Sequence, residues 1–180
     1  MLVDQDEGWF SRFAQPTTPA WYEADFPVYR MQRDGKRGAK NKALACFGAV
    51  RQDTHEVLLS LSDGQPNSLQ TWLFVMGLLS VARHENKRVL VIIWDNASWH
   101  KSKAIQPWIR DYNQLAKVHN EPRLLVHRLP TQSPWLNPLE PRWLHAKRAV
   151  CEPDDDLTPD ELCKRICKHF DTTSFSHAFK

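Results

Sequence analysis

Residues 88–94 read RVLVIIW, and residues 95–100, which follow at once, read DNASWH. A near-continuous apolar run of this length, bounded by polar residues, predicts a β-strand buried on both faces in the middle of a sheet. The run ends on Asp95 and Asn96, so a carboxyl group is delivered at the carboxyl end of that strand, where loops and helix starts gather in α/β sheets.

The flanking segments supply the rest of the sheet. Upstream, Asn67 or Ser68 can cap a helix running to about Glu85, with Leu69, Trp72, Leu73, Met76 and Leu79 at helical spacing. Before it, Ala43 to Val50 and Val57 to Ser62 read as strands, and the polar residues 51–56 between them can close a hairpin. Leu2 to Gln5 reads as a very short strand that ends at Asp6. Downstream, Lys101 to about His119 reads as helix, Arg123 to Arg128 as strand, and Asn137 to Val150 as helix, its start blurred by Pro138 and Pro141. An acidic linker follows Pro153, then a small helix from Pro159 to about Phe170. Residues 16–27 and 30–42 read as loops. Hairpin strands first and crossover helices later predict an α/β fold, a mixed sheet with helices packed on it.

Composition narrows the function classes. The chain has 180 residues, 42% hydrophobic and 25% charged, which is enough to build one core and argues against disorder as the main state. The best apolar stretch, Leu73 to Leu79, is too short to cross a bilayer, so no membrane partner is expected. The start, MLVDQDEGWF, has acids where a signal peptide needs bases, so a cytoplasmic location is expected. The net charge of +3 permits nucleic-acid binding without arguing for it. Its distribution is more informative: Arg30, Arg33, Lys36, Arg37, Lys40 and Lys42 cluster against the single acid Asp34. Cys163 and Cys167 lie one helical turn apart, and a zinc site would also need Cys151. With no CxxC pair, reduced thiols are the better reading for these and for Cys46.

Three acids stand out by position: Asp6 at the end of the first strand, Asp95 at the end of the buried strand, and Glu140 at the start of the last large helix. Each has a plain alternative. Acids near a chain end are usually solvated, Asp95-Asn96 can initiate a turn, and Asn137 with Glu140 resembles a helix-capping pair. Three carboxylates in one place would repel each other unless a cation sits among them, and magnesium or manganese is the hard, oxygen-seeking choice. Two such ions can activate a nucleophile and stabilise the leaving oxygen of a phosphodiester.

The words around the acids are DEGWF at 6–10, DNASWH at 95–100, and SPWLNPLEPRW at 133–143, followed by Lys147-Arg148. Together they resemble the DDE transposases of the mariner-related superfamily, in particular the bacterial insertion-sequence-630 group, over about residues 4–150. Phe47-Gly48 also suits that family's second strand. The resemblance implies a ribonuclease-H-like fold and a catalytic, metal-binding triad of Asp6, Asp95 and Glu140, with two Mg2+ or Mn2+ ions. Asp4 is the rival for the first position, but Glu7 and Phe10 complete the pattern around Asp6.

Supporting roles follow. Asn96 and His100 orient Asp95 or contact DNA, the alternative being a hydrogen-bonded turn. Asn137 shapes the helix start. Arg142, Lys147 and Arg148, with Lys36 and Arg37 of the basic loop, are candidates for phosphate contact. Trp99, Trp135 and Trp143 read first as packing residues and second as base-stacking platforms. The resemblance also implies double-stranded DNA as partner (transposon ends and target), work as a homodimer, and a place at the nucleoid.

There are two departures. The step from position 95 to position 140 is 45, longer than usual for the group. Met1 stands five residues before Asp6, which leaves no room for the family's N-terminal helix-turn-helix half. Residues 1–150 are therefore expected to be a catalytic domain alone, with 151–180 as linker and short helix. Such a chain is a truncated copy, a remnant, or half of a split gene whose separate N-terminal polypeptide binds DNA. A non-catalytic remnant and another two-metal nuclease of the same fold are the alternative functions.

Overall fold

The structure is a computed structural model and describes residues 1–11, 43–131, 133–150 and 157–173. Five strands form one mixed sheet: β1 (Leu2–Ser11), β2 (Ala43–Arg51), β3 (Val57–Asp63), β4 (Val89–Trp94) and β5 (Arg123–Arg128). Their order across the sheet is β3-β2-β1-β4-β5. The pairs β1–β2 and β2–β3 are antiparallel, and β4 pairs in parallel with β1 and β5. The helices are α1 (Ser68–His84), α2 (Ile105–His119), α3 (Leu139–Val150) and α4 (Pro159–His169).

Two apolar layers cover the sheet. On one face, Phe74, Val75, Leu78, Leu79 and Ala82 of α1 and Ile105 of α2 bury against Val3, Phe47, Leu90, Ile92 and Trp94. On the other, Leu139, Trp143, Ala146 and Val150 of α3 and Leu162 and Ile166 of α4 bury against Phe10, Leu44, Cys46 and Leu59. Each large aliphatic or aromatic side chain buried this way contributes roughly 1.5–3 kcal/mol. Asn67 caps α1 by accepting the Gln70 N–H at 3.0 Å. A capping box between Thr158 and Glu161 starts α4, with Pro159 in the first turn.

β4 is an interior strand, yet only Leu90, Ile92 and Trp94 are buried, while Val89, Val91 and Ile93 are partly exposed. The reason is coverage: α3 packs on β1 and β2, and α4 packs on β2, leaving the second face of β4 thinly covered. β2 is the strand buried at every residue.

β1 corrects the expected short strand. It runs ten residues, and Asp6 sits in its middle rather than at its end. Polar residues there resemble a strand end, but β2 pairs with β1 continuously from Val3 to Ser11 and holds it extended. α2 also begins later than expected, at Ile105, because the chain before it forms turns, the Lys101 N–H bonding the Ser98 carbonyl and the Ile105 N–H the Ser102 carbonyl, each at 3.2 Å. α3 begins at Leu139, after a short 3-10 turn at Pro134–Leu136.

Candidate active site

The strand register explains how Asp6 and Asp95 meet. In the parallel pair β1–β4, Leu2 faces Val91, Val3 faces Ile92, and Asp4 faces Ile93. Continuing that register by two places sets Asp6 level with Asp95, just beyond the end of β4. A mid-strand residue of the longer strand and an end residue of the shorter one thus arrive at the same height. Asp95 and Glu140 line one cavity of about 320 Å³, with Asn96, Ser133 and Asn137. Asp6 lies within electrostatic reach of both: burial first, then the charges of Glu7, Glu140 and Asp95, push its carboxyl up to about 7.

Asp95 sits in a contrasting environment. Burial works against its charge, but bonds from His100 and the Ala97 N–H, helped by Lys101, hold it below the usual carboxylate range. His100 Nδ1 lies 2.8 Å from Asp95 Oδ1, and the Ala97 N–H donates to the same oxygen at 2.9 Å. Both donors therefore address Oδ1, and the carboxylate keeps a solvent-facing side: its side chain is 41% exposed. The segment thus forms a hydrogen-bonded turn in which His100, and not Asn96, is bonded to Asp95.

His100 is fully buried and stacks on Trp94, with ring centroids 4.6 Å apart and planes 2° from parallel. Its second nitrogen, Nε2, lies 3.0 Å from Glu7 Oε1. Burial pushes the imidazole down, but the bonds to Asp95 and Glu7 outweigh it and lift it to about 9. A charged ring donates from both nitrogens, so His100 is a cationic clasp between the β4 end and β1.

Glu7 is the residue whose part in this arrangement the sequence conceals. It follows Asp6 directly, so on a strand it points to the opposite face. There its 2%-exposed side chain accepts from Gln5, Thr71 and Trp99 as well as His100. A signal existed: DEGWF places two acids on two faces, and each face then needs its own partner. Asp4, the rival to Asp6, is bonded to the Gln52 side chain.

These residues all fall within the span of a family match. A family model described as DDE superfamily endonuclease covers residues 2–161. The chain belongs to the DDE endonuclease superfamily. Among solved structures, the Mos1 transposase paired-end complex with left transposon end is similar, with a TM-score of 0.65 and 19% identity. The alignment covers 96% of this chain and 48% of that one. The Mos1 strand transfer complex gives a TM-score of 0.64 and 18% identity at the same coverage. The chain thus spans about half the length of the transposase chains it matches. At such identity the likeness concerns the fold, a ribonuclease-H-like mixed sheet with flanking helices. No curated protein matches the sequence.

In this DDE domain the remaining candidate residues divide. Asn96 Nδ2 donates to the Leu129 carbonyl at 2.7 Å, tying the β4 end to the end of β5. Asn137 is buried, and its Oδ1 accepts the Leu139 N–H at 3.0 Å, which shapes the start of α3. Arg142 does not join the carboxylates as its place in the sequence suggests. Two residues after Glu140 it has rotated around the helix, and it lines a separate cavity of about 460 Å³ with His55, His145 and His169. Lys147 lies over the Phe10 ring at 6.0 Å, and Arg148 is exposed. Lys36, Arg37 and Cys151 lie outside the described residues. Trp99 and Trp143 are packed and bonded, whereas Trp135 stands 76% exposed on the 3-10 turn beside Ser133 of the carboxylate cavity.

Among the described residues, no three His, Cys, Asp or Glu side chains stand close enough to enclose an ion as they are arranged. The donor set nonetheless suits a hard divalent cation. Burial, then the charges of Glu7, Glu140 and Asp95, lift Asp6 to about 7, and both Asp95 and Glu140 reach solvent. Among the described residues no helix is long and apolar enough to cross a membrane.

Proposed function

We propose that this chain is the catalytic domain of a mariner-related transposase of the insertion-sequence-630 group, cutting and joining phosphodiesters of double-stranded DNA. The observation that carries the reading is the shared height of Asp6 and Asp95 at the β4 end, with Glu140 in the same cavity as Asp95. Asp6, Asp95 and Glu140 would hold magnesium or manganese. The ions, when bound, supply activation of the attacking oxygen and stabilisation of the leaving one. In cleavage, the oxygen of water bonds to phosphorus, the bond from phosphorus to the 3′ oxygen breaks, and a proton ends on that oxygen. The freed 3′-hydroxyl then attacks a target phosphodiester in the same way.

The chain's own residues have separable tasks. His100 fixes Asp95 through Oδ1, so the carboxylate presents its other side to the cavity. Asn137 fixes the start of α3 and so the height of Glu140. Trp135 is a platform for an unstacked base beside the cut. Arg148, and the basic loop with Lys36 and Arg37, meet phosphates. The full assembly is a dimer on transposon ends at the nucleoid, with end recognition supplied by a separate DNA-binding segment. Residues 1–150 are its catalytic unit.

Nicking of supercoiled DNA tests this directly. The chain should nick weakly and with little sequence choice, only with magnesium or manganese, and more weakly as salt rises. Glu140→Gln should abolish nicking, a loss of at least 100-fold, with the fold intact by circular dichroism. No nicking with either ion, even with a DNA-binding segment fused or supplied in trans, would make this a non-catalytic remnant.

A further inference from the structure

Trp143 lies in the third sequence word, but its polar atom is spent on the first. Its indole Nε1–H donates to Asp6 Oδ2 at 3.0 Å in a buried setting. The ring itself is 2% exposed and is held on four sides. Phe10 meets it edge-on at 6.0 Å and Phe170 at 5.4 Å, with planes 85° and 78° apart. The other two sides are glycines. A Cβ on Gly48 would stand 2.5 Å from Trp143 Cη2, and one on Gly8 would stand 2.9 Å from Cδ2. Gly8 and Gly48 lie on the neighbouring strands β1 and β2, so the indole lies against bare backbone of both. Packed in this slot, the ring aims its N–H at one oxygen of one carboxylate.

We propose that Trp143 is a positioning residue for Asp6: the glycine slot fixes the indole, the indole N–H holds Oδ2, and the first carboxylate is thereby presented to a divalent ion in a single orientation. This rests on the metal-ion reading of the carboxylate edge. The need for such a lock follows from the charges. Asp6 is buried beside Glu7, Glu140 and Asp95, and an untethered carboxyl would rotate away from the other acids. A neutral donor opposes that rotation without adding a cation that would compete with the metal. His100 plays the matching part for Asp95, so each aspartate has one oxygen tied by a ring nitrogen, from the same turn for Asp95 and from a distant helix for Asp6. Outer partners of this kind commonly govern metal affinity by 10–100-fold.

A bland alternative exists: a buried indole N–H needs some partner, and Asp6 happens to be near. Manganese binding by calorimetry separates the two. Trp143→Phe keeps an aromatic ring in the slot and removes the N–H. Its manganese affinity should fall about tenfold or more. Gly48→Ala keeps the N–H but displaces the ring, and should lower affinity in the same direction. Equal affinity in the parent and a folded Trp143→Phe would overturn the proposal while leaving the metal reading standing. Should Trp143→Phe fail to fold, the indole 15N–1H resonance of the parent decides. It should move on adding magnesium, and Asp6→Asn should shift it and erase the magnesium response. A resonance indifferent to Asp6→Asn overturns the proposal. If Asp6→Asn moves the resonance but the parent binds neither ion, the bond is real, the metal reading fails, and the positioning role falls with it.

Discussion

The two ends of β4 carry opposite kinds of charge cluster. Near its start, Arg51 is 6% exposed and surrounded by acids. Its Nε and Nη2 bond Asp53 at 3.0 and 2.9 Å, and Nη2 also bonds Glu85 at 2.9 Å. Nη1 bonds Glu85 as well, with Glu56 at 3.6 Å. The guanidinium holds Asp53 down at about 2 and Glu85 below its ordinary value. Beyond the other end of β4, Asp6, Glu7, Asp95 and Glu140 gather around the His100 imidazolium, with Lys101 acting on Asp95, and Asp6 is driven up to about 7. One cluster is complete in itself and ties β2 to the end of α1. Among the described residues the other gives Asp6 no ion-paired cation, which is the condition of a site built to take one. Clustered acids can therefore be sorted by whether the fold has already supplied their counter-charge.

The largest expected contrast is in pH dependence without metal. Asp6 has a folded pKa above its unfolded one, so the folded state binds more protons and stability falls as pH rises from about 4 to 7. The cost is at most about 4 kcal/mol for a shift of this size. His100 adds to the same trend: its contribution is complete below about 6.5 and is lost as pH rises through about 9. Asp53 and Glu85 act in the other direction, stabilising above their unfolded values and losing that as pH falls. Thermal unfolding should thus be highest at mildly acidic pH. Asp6→Asn should flatten the decline between pH 4 and 7 while leaving the acid limb unchanged. A parent protein that gains stability from pH 5 to 7 would break the comparison.

A smaller effect, of opposite character, belongs to the first cluster. Arg51→Met should leave Asp53 and Glu85 with Lys87 alone and cost about 2–3 kcal/mol, since the arginine is buried and its partners are partly solvated. For a chain of this size that lowers the melting temperature by roughly 5–10 °C. The same substitution should leave manganese affinity unchanged. A folded Arg51→Met variant with weakened manganese binding would show that the two clusters are not independent.

How far these clusters were legible in the sequence differs residue by residue. β4 and β5 are plain from their apolar runs, and Asp95 from its place after one of them. Glu140 is plain from the sequence word that holds it. Asp6 was legible as a candidate but not as a mid-strand residue, because the reason it stays in a strand is β2, some forty residues away. Glu7 and Trp143 were hidden for a related cause. Trp143 falls in line with Leu139, Ala146 and Val150, so helical periodicity explains it as packing. Its bond to Asp6 emerges only when α3 is laid across β1. Gly48 was noted only as part of a strand pattern and Gly8 only within its sequence word, and neither shows its use until an indole lies on both. Arg142 went the other way: proximity in sequence to Glu140 suggested the site, and the turn of the helix took it to another cavity.

Manganese located by anomalous scattering in crystals of the full chain tests the central claim most directly. The account predicts manganese bound by oxygens of Asp6, Asp95 and Glu140, and none at Asp53, Glu56 and Glu85. Manganese at the Arg51 cluster, or none at the β4 end at an ion concentration that supports nicking, would contradict it.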